Sequence, residues 1–297
     1  MYLVFKEIYL KFILSLFIGY LLGYYSNNLS KKISQPLILY GVPLLVALTL
    51  VGKEINQEIF FAISIGIAFI FLQLLIFYLF QIKKNFFDLN IFCSSFIGNT
   101  GYIGLPISIL ILPEEFVIHA IGFDIGSMLV TWGFIPILFK KVYDKKNSSF
   151  TIKTILNIFF NSPGVRGIFL YFFINLLSEY KFLNNYFEMI STIIIIFALL
   201  YVGVCIGELS SKYKYNFLRE KLNLGFVIYK LIFSPVLMQC ICLILQIENN
   251  ISNAFILQAA MPSAISILLL SDHYKINKRK VSSMIIITTF LSLISLP

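Results

Sequence analysis

Hydrophobic residues occur along this chain in long runs that are separated by short polar segments. Each run is about 17–25 residues long, which is the length that an α-helix needs to cross a bilayer. About ten such runs follow one another, near residues 8–26, 34–52, 59–80, 89–112, 115–139, 163–179, 187–207, 222–245, 251–271 and 281–297. The pattern predicts an all-α integral membrane protein with about ten transmembrane helices.

The composition agrees with a membrane protein. Of the 297 residues, 59% are hydrophobic and 12% are charged, and the mean hydropathy is +0.90. A soluble domain has about twice that share of charged residues. The net charge of +9 does not indicate a nucleic-acid partner, because the basic residues lie in the short connections between apolar runs. The first run lacks a small-residue cleavage site, so we expect a retained span and not a signal peptide.

The polar connections alternate in charge. Those that follow odd-numbered runs hold most of the 23 basic residues, for example Lys140, Lys141, Lys145 and Lys146. Those that follow even-numbered runs are mainly acidic, with Glu114 as an example. By the positive-inside rule the basic connections are cytoplasmic and both termini are extracytoplasmic. We therefore expect a multi-pass protein of the cell membrane, plasma or inner, in contact with the lipid bilayer.

The fourth run contains the sequence FIGNTGYIGLP, residues 96–106, with three glycines, a proline and two polar side chains. A helix surrounded by lipid does not tolerate this content, because each unpaired backbone group there costs several kcal/mol. The run therefore predicts a discontinuous helix that is unwound where it lines a polar cavity. The candidate substrate-binding residues of this run are Gly98, Asn99, Thr100, Gly101 and Pro106.

The ninth run carries a comparable interruption, QAAMPSAIS, with a proline in mid-span. The longest connection, residues 140–162, divides the chain into two halves of five runs and contains a possible interfacial helix over residues 151–160. An odd number of spans gives the halves opposite orientations, so we expect two inverted repeats with broken helices four and nine. The candidate substrate-binding residues of the ninth run are Gln258, Met261, Pro262, Ser263 and Ser266.

The direction of the two broken helices suggests what binds between them. Their second halves begin at the membrane centre from opposite sides, so both N-terminal ends point to the midplane, where they attract an anion. The alternative is two ordinary proline kinks that only help packing. In the seventh run, Gly203 and Gly207 are interpreted as residues that let helices approach closely.

Two charged residues lie inside apolar runs. Asp124 in the fifth run, with Ser127 and Thr131 near the same helical face, is predicted to be a proton or sodium site, unless it is near enough to the outer interface to stay hydrated. Lys230 in the eighth run either extends to the cytoplasmic headgroups, pairs with Asp124 or contacts substrate. With two histidines and no Cys/His cluster, we expect neither a metal site nor a cofactor.

Several segments resemble bacterial members of the auxin efflux carrier family, within the bile acid/auxin transporter superfamily. They are FIGNTGYIGLPISIL (96–110), FDIGSMLVTWG (123–133), NSPGVRGIFL (161–170), KLIFSPVL (230–237), AAMPSAISILLLSDHY (259–274) and TTFLSLISLP (288–297). The resemblance covers the whole chain. It implies ten helices in two inverted repeats, with the broken helices crossing at their prolines, which are Pro106 and Pro262 in this sequence.

The resemblance also implies a domain division and a function. Scaffold helices would lie in residues 1–58 and 163–210, transport-domain helices in 59–140 and 211–297, and a cytoplasmic linker in 141–162. The family exports small organic anions such as carboxylates, which implies an elevator-type efflux carrier and a homodimer packed through spans near 34–52 and 187–207. Auxin itself is not carried over, because plant members have other polar residues where Ser263 and Ser266 stand.

Two alternatives stay open. A sodium-coupled bile-acid-type symporter is similar in architecture, but it would show more carboxylates and amides near the crossing than Asn99, Asp124 and Gln258. A membrane-embedded sensor or enzyme belongs to a different class and would need clustered acid–base groups or a nucleophile–base pair. The isolated Asp124 does not supply one, so we do not expect an enzyme.

Overall fold

The computed structural model of the chain describes residues 2–51, 56–81, 89–143, 153, 156–157, 160–161, 163–177, 181–212, 224–274, 276 and 279–295. Within these ranges the residues are almost entirely helical, and the β-type pairing consists of one isolated bridge. The all-α prediction is therefore confirmed. The interfacial helix expected over residues 151–160 lies largely outside the described residues, as do Lys145 and Lys146.

The α-helices are numbered in the order in which they follow one another along the chain. They are α1 (Tyr2–Tyr25), α2 (Leu29–Pro36), α3 (Val42–Leu50), α4 (Gln57–Gln81), α5 (Leu89–Phe96), α6 (Leu105–Ile111), α7 (Val117–Leu129), α8 (Ile135–Tyr143), α9 (Pro163–Leu177), α10 (Lys181–Lys212), α11 (Leu224–Ile228), α12 (Ser234–Ile244), α13 (Asn249–Ala259), α14 (Ile265–His273) and α15 (Arg279–Ser295).

Four helical stretches are long and apolar enough to cross a membrane: Gln57–Leu79, Glu114–Tyr143, Met189–Glu208 and Leu224–Ile244. Shorter apolar helices lie at Ile13–Tyr25, Thr100–Ile109, Val165–Leu176 and Lys280–Ser292. These lengths and compositions agree with a multi-pass membrane protein. The arrangement as ten helices in two inverted repeats stays a prediction.

Four helices widen by one π turn shortly before a proline. The turns are Leu37–Gly41 before Pro43, Thr100–Gly104 before Pro106, Val130–Phe134 before Pro136 and Tyr229–Phe233 before Pro235. In each case the residue preceding the proline donates its N–H to the carbonyl five residues earlier. Proline has no N–H, and its ring collides with the carbonyl four residues before it. The wider turn accommodates both effects, so these prolines widen their helices without ending them.

The chain forms two compact units, each discontinuous in sequence. The first comprises Met1–Lys53 and Pro163–Glu220, and the second comprises Glu54–Ser162 and Lys221–Pro297. Their assignment as scaffold and transport domain stays a prediction.

In the first unit, α1 packs closely along α10 through facing glycines. Gly19 and Gly23 on α1, and Gly203 and Gly207 on α10, each lie so near a backbone carbonyl of the other helix that an added Cβ would overlap it. Small residues four positions apart on both helices allow this approach in a membrane. The packing interpretation of Gly203 and Gly207 is confirmed, and their partners are the two glycines of α1.

A buried carboxylate caps a helix in the same unit. Glu208 is 6% exposed and accepts hydrogen bonds from the backbone N–H and the hydroxyl of Ser30, at 2.9 and 2.7 Å. Ser30 lies in the first turn of α2, where N–H groups lack intrahelical acceptors. A negative charge at this end also complements the helix dipole.

In the second unit, α7 is enclosed by neighbouring helices. It packs along α4, where Cβ atoms added at Gly66 or Gly126 would collide with the backbone of the facing helix. Nearly every residue between Val117 and Ser127 is buried. Asp124 therefore lies inside the unit and not on its surface.

Candidate functional site

The two predicted helix breaks are present, and they pair with each other. The backbone leaves the helical ladder after α5 and again after α13. The N–H of Asn99 donates to the carbonyl of Pro262 at 2.7 Å, and the N–H of Ala264 donates to the carbonyl of Ile97 at 2.9 Å. These bonds form an antiparallel bridge in which Gly98 lies opposite Ser263. We call this the Gly98–Ser263 bridge; both helices are interrupted at this point and not merely kinked.

The crossing point differs from the one that the family resemblance implies. The structure pairs the helices at Gly98 and Ser263, whereas the resemblance gave Pro106 and Pro262. Pro262 does lie in the second break, but Pro106 lies in α6, beyond a π turn that accommodates its missing N–H. The first break comes earlier because Asn99 adopts a non-helical backbone conformation, with φ −80° and ψ 60°.

The glycines near the first break let side chains of other helices come close to the backbone. A Cβ added at Gly98 would lie 3.2 Å from Nζ of Lys230 and 3.5 Å from Cβ of Met261. A Cβ added at Gly104 would overlap Oε1 of Gln258 and lie 2.9 Å from Cγ of Met261. The fully buried Met261 side chain thus packs over both glycines. The absence of a side chain at these glycines therefore admits the side chains of Met261, Gln258 and Lys230.

Several buried polar atoms at the bridge have no hydrogen-bond partner among the described residues. They are Nδ2 of Asn99, Oγ of Ser263 and Oε1 of Gln258. Asn99 is 4% exposed, and Ser263 and Gln258 are fully buried. A buried polar group without a partner costs about 1–3 kcal/mol, so each such group calls for a ligand or a water molecule. These three atoms are therefore candidate contacts for a polar ligand.

The backbone N–H groups of the breaks are largely engaged already. Asn99 and Ala264 use theirs in the bridge, and the N–H of Ser263 donates to Oγ1 of Thr288 at 3.0 Å. The donors left for a ligand are therefore side chains, together with the first N–H groups of the helical segments that begin at Thr100 and Ile265. Ser266, in the first turn of α14, is partly exposed.

Asp124 contacts the helical segment that follows the first break. Its Oδ1 accepts a hydrogen bond of 2.5 Å from the hydroxyl of Thr100, and a Cβ added at Gly101 would lie 3.4 Å from both carboxylate oxygens. Asp124 is 4% exposed, so the alternative of a hydrated group at the interface is wrong. Ser127 and Thr131 are also buried, and Oγ1 of Thr131 has no partner among the described residues.

Lys230 lies fully buried at the ends of both interrupted helices. Its Nζ donates to the carbonyl of Ala259 at 3.0 Å and to that of Phe96 at 3.4 Å. It therefore does not extend to the headgroups, and its described partners are carbonyl oxygens and not the Asp124 carboxylate. Oγ of Ser234 donates to the same Ala259 carbonyl at 3.2 Å.

A hydrogen bond connects the helix before the second break to the helix after the first break. Nε2 of Gln258 donates to Oγ of Ser108 at 3.1 Å, so Gln258 links α13 to α6.

Among the described residues, no three His, Cys, Asp or Glu side chains are grouped as a metal ion would require.

Comparison of the chain with known proteins identifies its family. Residues 5–297 match the family model described as "Membrane transport protein". The chain belongs to the membrane transport protein family. The resemblance to the auxin efflux carriers is thereby confirmed.

One relative of this membrane transport protein is an uncharacterized transporter of Methanocaldococcus jannaschii. The two are 25% identical over 209 residues, which cover 67% of this chain and 63% of the relative. The chain thus spans less than two thirds of the length of that relative. The family membership, together with the apolar helices, makes this a multi-pass membrane protein.

Proposed function

We propose that this membrane transport protein is a secondary carrier that exports a small organic anion, with the anionic group bound beside the Gly98–Ser263 bridge. The observation that carries this proposal is the presence of unpartnered buried polar groups on both sides of the bridge, Nδ2 of Asn99 and Oγ of Ser263. A carboxylate oxygen accepts hydrogen bonds from both groups, which removes the cost of leaving them unpaired.

The charge of the two break segments supports an anion. The segments between Ile97 and Gly101 and between Ala260 and Ser266 contain no acidic side chain. The helical segments starting at Thr100 and Ile265 both present N-terminal ends, which favour negative charge. The Lys230 ammonium next to Gly98 offsets the negative carbonyl ends of α5 and α13, which would otherwise oppose an anion there.

Asp124 is the proposed coupling group, for a proton or a sodium ion. Its carboxylate accepts a hydrogen bond from Thr100 at the start of the helical segment that also borders the anion site. Gain or loss of charge at Asp124 therefore changes the electrostatic potential at the substrate, which couples ion binding to anion binding.

The proposed movement is of the elevator type. The unit Glu54–Ser162 with Lys221–Pro297 contains every proposed site residue and would move as the transport domain. The unit Met1–Lys53 with Pro163–Glu220 would be the scaffold, and it would form a homodimer through spans near 34–52 and 187–207. Mass measurement in native-lipid discs tests the dimer; a monomer with full transport activity would contradict it.

Uptake into proteoliposomes tests the function. The purified protein is reconstituted and offered a panel of labelled mono- and dicarboxylates, with and without imposed sodium and proton gradients. We expect saturable transport of at least one carboxylate, and competition by its anionic analogues only. Equal competition by the uncharged amide of the same molecule would show that the site does not recognise an anion.

The same panel separates the alternatives. Inward accumulation of the carboxylate driven by a sodium gradient would support the bile-acid-type symporter, because the proposed carrier exports its substrate. Binding of a carboxylate without any flux in either direction would support a sensor.

A further inference from the structure

The carbonyl ends of the two interrupted helices meet at a single side chain. Phe96 is the last residue of α5 and Ala259 is the last residue of α13. The final carbonyls of a helix have no intrahelical donor, and the end of the helix carries a partial negative charge. The Lys230 ammonium donates to both carbonyls, at 3.4 and 3.0 Å.

The charges at this point balance without a carboxylate. A helix C-terminus is equivalent to about −0.5 elementary charge, so two such ends offset roughly one positive charge. Lys230 is fully buried, and a buried cation inside a membrane protein is costly unless it is compensated. The two helix ends provide this compensation, which explains why its described partners include no acidic side chain.

Local structure positions the ammonium. Lys230 lies in the π turn Tyr229–Phe233, which precedes Pro235. Ser234, one turn further on, is also fully buried and donates to the same Ala259 carbonyl. Gly98 leaves room for the ammonium, because a Cβ there would lie 3.2 Å from Nζ.

We propose that Lys230 is a tethered cation that holds the carbonyl ends of both interrupted helices together and so fixes the Gly98–Ser263 bridge. Lys230 is thus a positioning residue of the proposed transport site. The proposal concerns the bridge itself and does not rest on the identity or charge of the substrate.

Thermal unfolding of purified variants in lipid discs, without substrate, tests the proposal. Lys230→Met keeps the length and the apolar stem but removes the charge and the donors. We expect its Tm to fall by about 5–10 °C. Lys141→Ala, which removes an exposed lysine of the same unit, is the control and should unfold like wild type. A Lys230→Met variant as stable as wild type would overturn the proposal, because the apolar stem alone would then be enough to hold the two helix ends together.

Chemical rescue separates the cation from mere packing. Lys230→Ala leaves a cavity lined by the two carbonyls, so millimolar n-propylammonium should raise its Tm by several degrees, about half of the loss or more. Tetramethylammonium has the same charge but no N–H donors and should have no effect. The Lys230→Met variant, whose side chain fills the cavity, should not respond to either ion.

The test remains decisive if the neutral variants cannot be purified. Propylammonium added during solubilisation should then restore the yield of folded Lys230→Ala but not that of Lys230→Met, and absence of this difference would overturn the proposal. Ser234→Ala keeps the cation and should lower the Tm by less than Lys230→Met. None of these Tm and yield measurements uses a substrate. A negative result here therefore does not contradict the proposed anion site, and a negative result in the transport panel does not contradict the role of Lys230.

Discussion

The hydroxyl of Thr100 donates a hydrogen bond of 2.5 Å to the buried carboxylate of Asp124. This bond joins the enclosed helix α7 to the first residue after the break in the fourth apolar run. A charge change on Asp124 is therefore transmitted directly to the segment that borders the proposed anion site.

The Asp124–Thr100 contact predicts that Asp124 sets the pH or cation dependence of transport. Asp124→Asn keeps the shape and can still accept the Thr100 hydrogen bond, but it does not titrate. We expect a folded protein whose transport rate varies little over the pH range in which the wild-type rate changes. The measurement is initial uptake into proteoliposomes at a series of pH values and sodium concentrations. Thr100→Ser, which keeps the hydroxyl, is the matched control, and an unchanged profile in Asp124→Asn would show a structural role.

Gly104 and Gly101 should respond differently to an added methyl group. At Gly104 the methyl meets Oε1 of Gln258 and Cγ of Met261, so Gly104→Ala should destabilise the protein by about 1–3 kcal/mol. At Gly101 it meets the Asp124 carboxylate at ordinary contact distance, so Gly101→Ala should be tolerated. Denaturation midpoints of the two variants decide this. Equal stability would show that the packing of Met261 adapts freely.

Gly101→Val extends this comparison from stability to transport. The larger side chain presses on Asp124 and should impair flux more than it impairs folding. A Gly101→Val carrier with wild-type flux would mean that the contact with Asp124 has no role in transport.

The glycines between α1 and α10 are predicted to determine the stability of their unit. Gly23→Ala places a methyl group against the carbonyl of Val204, and Gly203→Ala places one against the carbonyl of Leu16. Each should lower the free energy of unfolding by about 1–3 kcal/mol. Gly225→Ala is the matched control, because a Cβ there meets nothing within 4 Å. Loss of stability in all three variants alike would point to glycine backbone effects and not to packing.

The loop charges predict the topology. In a background without accessible native cysteines, which requires replacement of the exposed Cys240, a membrane-impermeant thiol reagent added outside should label a cysteine at position 115. A cysteine at position 146, which lies outside the described residues, should react only after the membrane is opened. The reverse labelling pattern would place the termini in the cytoplasm.

Polar residues in apolar runs were enough to predict most residues of the candidate site. Asn99, Asp124 and Ser263 stand out in the sequence because a polar side chain inside a bilayer must have a reason. The contacts of Lys230 could not be predicted, because its acceptors are the backbone carbonyls of Phe96 and Ala259. Every residue has a backbone carbonyl, so the sequence does not indicate which ones are acceptors.

Two other features could be read only in part from the sequence. The prolines suggested the position of the crossing, but a π turn accommodates Pro106 within the helix, and the break comes earlier, at the non-helical Asn99. The glycine contact between α1 and α10 did have a sequence signal, the four-residue spacing shared by Gly19 and Gly23 and by Gly203 and Gly207. Which two runs face each other depends on tertiary packing, so the pairing itself required the structure.

The anion site makes the most direct prediction about function. Nδ2 of Asn99 and Oγ of Ser263 are buried without partners among the described residues, so a bound carboxylate should gain a hydrogen bond from each. Asn99→Ala and Ser263→Ala should each weaken binding of the transported carboxylate by about 1–1.5 kcal/mol, or roughly tenfold. Asn253→Ala, which removes an exposed amide from the same helix as Gln258, should bind normally.

The double variant of Asn99 and Ser263 tests whether the two groups hold the same ligand. If both bind one carboxylate group, the losses in the double variant should differ from the sum of the single losses, because the two sites share a partner. Equilibrium binding of the labelled substrate gives the four dissociation constants of this double-mutant cycle, those of the wild type, the two single variants and the double variant. Unchanged affinity in Asn99→Ala would place the anion elsewhere, since the proposed site has the Asn99 amide donating directly to the carboxylate.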